Sequence, residues 1–451
     1  MIVSIRNIRE QELIAMENED SPLSTNADRK IPPVNRRDVL KYLGSSALVA
    51  ALPAFKEPTL SGDASHQPGP AASSHSINPK WYGFNLLEYF STDPDWMKYF
   101  PYRHDGMFLE DDFRWIRDWG FNWVRLPMDY RFWTNPKDLV KIHEEKIEPI
   151  DRAIRLGDKY AVHVNLCLHR APGYCILDIM DEAFTGIHVT REKTNVFTDV
   201  QTRDAFAHQW AYFAKRYKGI RSEKLSFNLV NEPLNLNGPA EITKLTIAGK
   251  NADDARTEIA ARFAQQYGEV ARSAIDAIRK QDPDRLIVTD GLQGGNQIIP
   301  GLFDSHVLQS CHTYTPIPVT HYQCEWARSK AFSDSQPQPT WPLKDVKGKI
   351  VADREMLAHT FQPWSGLAPK GVPIHFGEMG CYKHTPSQVV LAWFNDTLSV
   401  VGDLHSGFAL WNFRGPFGVL DTDRPGTKFE EWHGHKLDLA LLNLLQQKMR
   451  T

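Results

Sequence analysis

The stretch LSFNLVNEP (residues 225–233) is an apolar run that ends in polar residues, and this form recurs along the chain. Seven other runs share it: WYGFNLLEY (81–89), FNWVRLPM (121–128), VHVNLCLH (162–169), RLIVTDG (285–291), HVLQSCHTY (306–314), IHFGEMG (374–380) and GFALWNF (407–413). Amphipathic segments accompany them at 107–119, 147–160, 203–217, 256–279, 387–400 and 431–447. Strands that are apolar on both faces and alternate with helices are typical of parallel sheets joined by helical crossovers. The pattern therefore predicts an α/β fold.

This alternation is compatible with a closed barrel and with an open doubly wound sheet. The positions of the polar and aromatic side chains that are candidates for the functional site distinguish between the two. These side chains stand at the C-terminal ends of the runs: Arg125, His169, Asn231, Glu232, His312, Tyr314, Glu378 and Trp411. A barrel gathers those ends around one opening, whereas an open sheet spreads them along a line. The usual nucleotide-binding motifs are also missing, because no GxGxxG follows the first run and no GxxxxGKS or GxxxxGKT occurs. We therefore predict a (β/α)8 TIM barrel that forms one catalytic domain over residues 80–449.

Composition excludes several classes of partner and of stabilising site. The formal net charge of −3 at pH 7 gives no electrostatic basis for nucleic acid or an anionic membrane as the main partner. An odd number of cysteines without a CxxC pair argues against a disulfide framework or a zinc site. We expect buried free thiols, with Cys167–Cys175 and Cys311–Cys324 as alternative pairs. The five cysteines are Cys167, Cys175, Cys311, Cys324 and Cys381.

The N-terminal 79 residues differ in character from the rest of the chain. Arg36 and Arg37 precede a moderately apolar run over 42–52, and small residues follow around Ala54. This order is that of a twin-arginine export signal, and the run is too short for a permanent membrane helix. We predict an export signal over 1–55 and a flexible linker over 56–79, with a periplasmic or extracellular destination. A chance arginine pair before an amphipathic helix is the alternative, and translation could also start at Met16.

Two carboxylates at strand ends point to glycoside cleavage. That reaction needs one acid to protonate the departing oxygen, and a base or nucleophile to support the oxocarbenium-like centre. Glu232 and Glu378 end apolar runs, where a carboxylate is costly unless it is paired or functional. Either glutamate alone is as compatible with a structural salt bridge as with catalysis. Together with the other strand-end groups, they favour catalysis.

Seven ordered motifs make the sequence resemble glycoside hydrolase family 5, the cellulase-like family of retaining (β/α)8 enzymes. The motifs are WYGFNLLEYF, NWVRLPMDY, VNLCLHRAPGY, LSFNLVNEP, CHTYTP, IHFGEMG and FALWNFRGPFGVLDTDR. The resemblance covers about residues 80–449. It implies that Glu232 is the acid/base and Glu378 the nucleophile of a retaining double displacement on β-linked carbohydrates. It implies no cofactor and no metal.

The resemblance also implies roles for the neighbouring residues. Arg125 would lie near Glu378 and lower its pKa, Tyr314 would donate a hydrogen bond to the same carboxylate, and Asn231 would hold the sugar 2-hydroxyl. His312 would stand beside the acid/base, His169 beside the −1 sugar, and Trp411 beneath that sugar. Each residue also has a structural interpretation: Arg125 and Trp411 as packing residues, and His169 and His312 as buried imidazoles with satisfied hydrogen bonds.

Substrate specificity depends on three long segments that follow strands, at 170–200, 233–254 and 315–364. The third carries Tyr322, Trp326, Trp341 and Trp364, which either stack on sugars or pack as a lid. We expect a β-1,4-glucan or a related soluble oligosaccharide, cleaved by a monomeric enzyme. A β-mannan-specific or exo-acting member of the family, and a non-catalytic sugar-binding barrel, are the alternatives. A metal-dependent hydrolase is disfavoured because the ends of the eight predicted strands carry no HxH or Asp-rich ligand spacing.

Overall fold

The computed structural model describes residues 78–100, 106–179, 182, 187–304, 306–327 and 334–450. The predicted export signal and all but the last two residues of the predicted linker lie outside the described residues. Among the helices that are described, none combines the length and apolar character required to cross a bilayer.

Eight parallel strands form a closed barrel. They are β1 (Tyr82–Asn85), β2 (Trp123–Asp129), β3 (His163–Ala171), β4 (Leu225–Asn228), β5 (Ile287–Asp290), β6 (Val307–Thr313), β7 (Ile374–Met379) and β8 (Phe408–Leu410). Each strand pairs with the next along the chain, and β1 also pairs with β8, which closes the sheet on itself. Every predicted run overlaps one of these strands, so the prediction of a (β/α)8 barrel is confirmed.

Helices cover the outside of the barrel. They are α1 (Glu110–Asp118), α2 (Glu148–Tyr160), α3 (Val200–Arg216), α4 (Gly238–Ile247), α5 (Ala252–Arg279), α6 (Arg354–Ser365), α7 (Ser387–Asp403) and α8 (Leu439–Lys448). Single-turn helices occur at Leu292–Gly295 and Ile317–Thr320, with 3-10 turns at Pro94–Lys98, Tyr130–Phe132, Glu144–Lys146, Ile176–Ile179 and Ala368–Lys370. Small strand pairs join Thr134–Asn135 to Asp138–Ile142, Leu343–Lys344 to Ile350–Ala352 and Glu430–Trp432 to His435–Leu437, and Tyr174–Cys175 pairs with β3.

Three segments differ from the sequence prediction. The predicted helix over 431–447 begins instead at Leu439, because His433 and Gly434 adopt positive φ and turn the preceding residues into a hairpin. Helices α4 and α6 both lie in segments predicted as loop. Asp353 caps the N-terminus of α6, where its carboxylate accepts a hydrogen bond from the Met356 amide at 3.0 Å.

Trp364 of α6 is buried against Phe376 of β7, so it belongs to the barrel core and not to a substrate cleft.

The two ends of the barrel interior differ in chemistry. At the N-terminal end, Trp81 packs on His163 at 4.2 Å between ring centroids and Trp123 packs on His375 at 4.7 Å. Burial lowers the pKa of His163 to about 4 and that of His375 to about 3, so both imidazoles are neutral packing groups at pH 7. The buried cluster of Arg125, Asp290, His312 and Glu378 lies at the opposite end, where the C-termini of the strands meet. This division is typical of barrels that carry their site on the C-terminal face.

The cysteines agree with the expectation of free thiols. All five are unpaired and buried, so neither alternative disulfide forms. A domain of this size buries enough apolar surface to fold without covalent cross-links.

Candidate active site

The C-terminal ends of the strands bring the predicted site residues together. Arg125 lies in β2, His169 in β3, His312 in β6 and Glu378 in β7. Tyr314 and Trp411 directly follow β6 and β8, and Asn231 and Glu232 come shortly after β4, beyond Leu229 and Val230. In the pairing of β6 with β7, His312 stands opposite Glu378. The register shifts between Phe376 and Glu378, and such a bulge changes the direction in which a side chain points. Gly377 lies at this shift, where an added Cβ would come 2.5 Å from the Ser310 hydroxyl oxygen.

Arg125 is the cation at the centre of the site, with its side chain only 1% exposed. Its guanidinium donates to Glu378 Oε1 and, at 2.8 Å, to the Asn231 amide oxygen. It also donates to Asp290 Oδ2 at 3.1 Å and, through Nε, to the Asn228 amide oxygen at 2.7 Å. A planar fork with several fixed donors suits this arrangement, which a lysine ammonium could not satisfy. Arg125 therefore fixes the positions of residues from β4, β5 and β7.

Glu378 is a buried carboxylate that accepts hydrogen bonds from two donors and lies beside the His312 ring. Tyr314 donates its hydroxyl to Oε2 at 3.0 Å, Arg125 donates to Oε1, and His312 Nδ1 lies 3.5 Å from Oε1. Burial raises the pKa of Glu378 to about 7, and Glu232 and Asp290 also raise it, while His312 and Arg125 act in the opposite direction. Arg125 thus lowers this pKa as the sequence predicts, but the desolvation of the carboxylate has the larger effect.

Glu232 occupies a strained position at the end of β4. Its φ of 46° is in the left-handed region, which is unfavourable for a residue with a Cβ and occurs preferentially at functional sites. Two hydrogen bonds hold the backbone there: its N–H donates to Asp290 Oδ2 at 3.1 Å, and its carbonyl accepts from the Tyr174 hydroxyl at 2.6 Å. The side chain meets His312 Nδ1 at 2.9 Å and is 17% exposed. Glu232 is therefore fixed at its backbone and open to solvent at its carboxylate.

Asp290 is a site residue that the sequence prediction missed. It ends β5, is fully buried, and its Oδ2 lies 3.3 Å from His312 Nε2. Burial acts to raise its pKa, but His312 and Arg125 lower it to about 2. Burial likewise acts to lower the pKa of His312, but the carboxylates of Asp290 and Glu378 raise it to about 10. His312 is therefore an imidazolium at pH 7, not a neutral buried imidazole.

Asn231, His169 and Trp411 are buried residues at the same end of the barrel as these carboxylates. Within the described part of the chain, the buried Asn231 Nδ2 and His169 Nδ1 have no hydrogen-bond partner. The His169 ring lies 5.7 Å from the Trp411 ring. Burial lowers the pKa of His169 well below its usual value, so this ring is neutral at pH 7. A donor with no protein partner beside an aromatic ring suits a polyhydroxylated ligand.

A metal ion is a poor fit to this site. Glu232, His312 and Glu378 each offer one possible ligand atom. These three atoms lie within 4.8 Å of one another, a spacing that a cation could bridge. However, the Arg125 guanidinium already neutralises Glu378, and both nitrogens of His312 face carboxylates. An imidazolium has no free lone pair for a metal. The Arg125 guanidinium and the His312 imidazolium therefore supply the positive charge that a metal ion would supply.

The sequence resembles those of known enzymes over most of its length. Residues 78–415 match the sequence profile of Cellulase (glycosyl hydrolase family 5). Endoglucanase C of Acetivibrio thermocellus is 22% identical over 347 residues, which are 71% of this chain and 88% of that protein. Cellodextrinase A of Ruminococcus flavefaciens is 23% identical over 306 residues, which are 66% of this chain and 77% of that protein.

Solved structures show the same likeness. A crystal structure described as a glycoside hydrolase is 35% identical, with a TM-score of 0.67 over 82% of this chain and 99% of the other. Cel5A of Thermotoga maritima, solved with mannotriose, has a TM-score of 0.56 over 81% of this chain and 97% of its own, at 18% identity, and supports the fold alone.

Proposed function

The chain belongs to glycoside hydrolase family 5, a family of retaining glycosidases, and on this premise we propose that it cleaves β-linked glucan oligosaccharides with Glu378 as nucleophile and Glu232 as acid/base. The observation that carries the proposed retaining mechanism is the spacing of the two carboxylates. A carboxylate oxygen of each lies within 4.8 Å of the other. Retaining glycosidases place their carboxyl groups about 5–5.5 Å apart, whereas inverting enzymes leave about 6.5–9.5 Å for a water molecule.

In the first step of the proposed mechanism, a Glu378 oxygen attacks the anomeric carbon while Glu232 gives its proton to the glycosidic oxygen. The carbon–oxygen bond to the leaving group breaks, and an ester between the sugar and Glu378 forms. Tyr314 and Arg125 hold the attacking carboxylate in place from two sides. Asn231 Nδ2, which has no hydrogen-bond partner among the described residues, would donate to the sugar 2-hydroxyl, a hydrogen bond that strengthens towards the transition state.

In the second step, the Glu232 carboxylate takes a proton from water as that water attacks the anomeric carbon. The ester bond breaks, the sugar leaves with retained configuration, and Glu378 is again a carboxylate. Solvent reaches the site beside Glu232, since its side chain is 17% exposed and that of Glu378 only 4%. The more exposed of the two residues is thus the one that must meet water.

Glucan oligosaccharides are the proposed substrates because the relatives point to them. The names endoglucanase and cellodextrinase describe relatives that align over most of their own length.

Replacement of Glu378 tests the proposed nucleophile. Glu378→Gln should abolish turnover of aryl β-glycosides while the circular dichroism spectrum stays that of the parent protein. Asp112→Asn is a matched control, because Asp112 is another buried carboxylate that pairs with an arginine, Arg414, outside the site. Turnover by a well-folded Glu378→Gln variant would remove Glu378 from its role.

Replacement of Glu232 tests the acid/base. Glu232→Ala should retain formation of the glycosyl ester from substrates with good leaving groups, and added azide should accelerate its breakdown to a β-glycosyl azide. An activated substrate that shows no azide rescue would contradict the assignment.

Export by the twin-arginine route is a separate proposal, supported by the sequence motif over residues 35–55. Changing Arg36 and Arg37 together to lysine should keep the protein in the cytoplasm of a bacterium that has this pathway. Arg29→Lys is the matched control, since it lies outside the arginine pair. Equal export of both variants would contradict the proposal.

A further inference from the structure

The C-terminal face of the barrel carries a second apolar core, separate from the barrel interior. We name it the mouth cluster. Its buried members are Leu87, Phe90, Trp96, Phe100, Ile187, Val189, Cys324, Trp326, Tyr382, Trp411 and Phe417. They come from the segments that follow β1, β3, β6, β7 and β8, and among the described residues the segments after β2, β4 and β5 contribute none. The cluster therefore covers one side of the mouth.

Aromatic contacts join the segment after β1 to the segment after β6 across the barrel. The ring of Trp326 lies 5.1 Å from Phe100, 6.2 Å from Trp96 and 4.8 Å from Tyr382, measured between centroids. Edge-to-face pairs at such distances stabilise by about 0.5–1.5 kcal/mol each beyond the area that they bury. Trp96 and Phe100 are at most 2% exposed. The mouth cluster is therefore tightly packed and not open to solvent, and we refer to this packed surface as the wall.

Hydrogen bonds join the segment after β1 to the segment after β3. The His188 amide donates to Asp95 Oδ2 at 2.9 Å, and the Thr190 amide donates to Asp93 Oδ2 at 3.3 Å. Arg131 fixes Asp93 from below through a 3.0 Å ion pair, with the arginine side chain 8% exposed. Buried, hydrogen-bonded charge pairs of this kind are costly to break, so they fix the position of the wall.

The wall lies directly behind the ring that would support the sugar. Phe90 and Phe100 approach Trp411 at 5.6 and 6.0 Å, and Phe90 also contacts His169 at 4.6 Å. Trp411 is left 7% exposed. Phe90 and Phe100, which follow β1, thus pack against the Trp411 and His169 rings and fill the space on that side of them.

From this asymmetry, and resting on the proposed function, we infer that the enzyme is exo-acting and binds the non-reducing end of its substrate in a closed pocket. The acid/base protonates the leaving group, so the open side beside Glu232 is the side from which the leaving group departs. The sugar that becomes attached to Glu378 lies on the covered side. A chain that ends in the pocket can bind, whereas a chain that continues through it meets the wall.

The product pattern of the full chain tests this inference. With β-1,4-gluco-oligosaccharides labelled at the reducing end, we expect one fixed unit to be removed at a time, so that the labelled products shorten in regular steps from the first time point. The viscosity of carboxymethylcellulose should stay constant. Labelled products of mixed length at the first time point, together with falling viscosity, would overturn the inference and leave the proposed glycosidase activity intact. Lack of cleavage of any β-linked oligosaccharide or aryl glycoside would instead refute the proposed function.

A variant of the wall provides the second test. Trp326→Ala should open the covered side and add internal cleavage, seen as mixed products and a fall in viscosity. Trp119→Ala is the matched control, since Trp119 has the same 8% exposure but lies at the end of α1. A folded Trp326→Ala variant with the parent's fixed product would overturn the role of the mouth cluster. If this variant fails to fold, the product pattern of the parent protein still decides.

Discussion

Replacing Asp290 with asparagine removes one charge from the centre of the site without changing side-chain volume. Asp290 Oδ2 accepts from Arg125 and from the Glu232 amide, both at 3.1 Å, and Oδ1 accepts from Asn228 Nδ2 at 2.9 Å. An asparagine has one acceptor oxygen and one amino group, so its amino group must face a donor on one side. Asp290→Asn therefore loses a charge pair and also leaves a buried donor without an acceptor.

The expected loss of stability is about 3–5 kcal/mol, the usual cost of breaking a buried ion pair by removing one partner. The pH dependence gives a second magnitude. Because the folded pKa of about 2 is lower than that of an unfolded aspartate, the contribution of Asp290 is present at pH 7 and is lost as the pH falls through about 2. The difference of roughly two units corresponds to about 3 kcal/mol, which is consistent with the lower end of that range. The raised pKa of His312 reflects the same interaction between Asp290 and His312, so it contributes no additional free energy of unfolding.

Urea unfolding and NMR of the histidine rings measure the two effects. In the parent protein, His312 should stay protonated up to a pH of about 10. In Asp290→Asn, its pKa should fall, because the largest of the effects that raise it is gone. Asp112→Asn is again the control: it should lose stability but leave the titration of His312 unchanged. A folded Asp290→Asn variant with the parent's His312 titration would refute the coupling between these two residues.

Three further predictions concern the same site. Arg125→Gln should raise the pKa of Glu378, because it removes a cation that lowers it, and should move the acid limb of the kcat/KM profile to higher pH; an unchanged limb would contradict this. Asn231→Ala should lower kcat by about 100-fold on a glycoside that has a 2-hydroxyl, a loss of about 3 kcal/mol, and much less on its 2-deoxy analogue; equal losses on the two substrates would exclude the assigned hydrogen bond. Incubation with EDTA followed by dialysis should leave kcat unchanged, because Arg125 and His312 supply the positive charge; a loss that Mg²⁺ or Zn²⁺ restores would show that a metal is required.

The sequence predicts the barrel because its pattern is strong and local. Each strand is an apolar run of a few residues, and the polar group at its end identifies the C-terminal face. For this reason the strand pattern alone places Arg125, Glu232 and Glu378 at one opening. The same rule also applies to Asp290, which ends the run RLIVTDG, and it would have identified this residue.

Other features of the site depend on contacts that leave no periodic pattern. The pKa of Glu378 depends on the balance between burial and two cations, and composition contains no information on that balance. The mouth cluster joins residues far apart in sequence, such as Phe100 and Trp326, through segments that lack regular periodicity. Nothing in the sequence pattern indicates that Trp364 lies in a helix: its segment is predicted as loop, but the residue is part of α6 and of the helix layer. Long segments after strands are therefore the least predictable part of a barrel.

The position of His312 explains how one set of charges can serve both steps of the proposed mechanism. Its Nδ1 lies 2.9 Å from Glu232 Oε1 and 3.5 Å from Glu378 Oε1, so the imidazolium touches both carboxylates. The proposed first step requires Glu378 and Asp290 as anions, Arg125 and His312 as cations, and the proton to be transferred on Glu232. After that step, Glu378 is a neutral ester and Glu232 is the anion. These five groups sum to zero charge in both states, and the negative charge moves between two neighbours of His312. A low-dielectric site that keeps its charge constant needs little reorganisation during the reaction, which is how electrostatic preorganisation lowers a barrier.

Asp290 maintains this arrangement by holding His312 in its charged form. Its side chain reaches the two reacting carboxylates only indirectly, through Arg125, His312 and the backbone amide of Glu232.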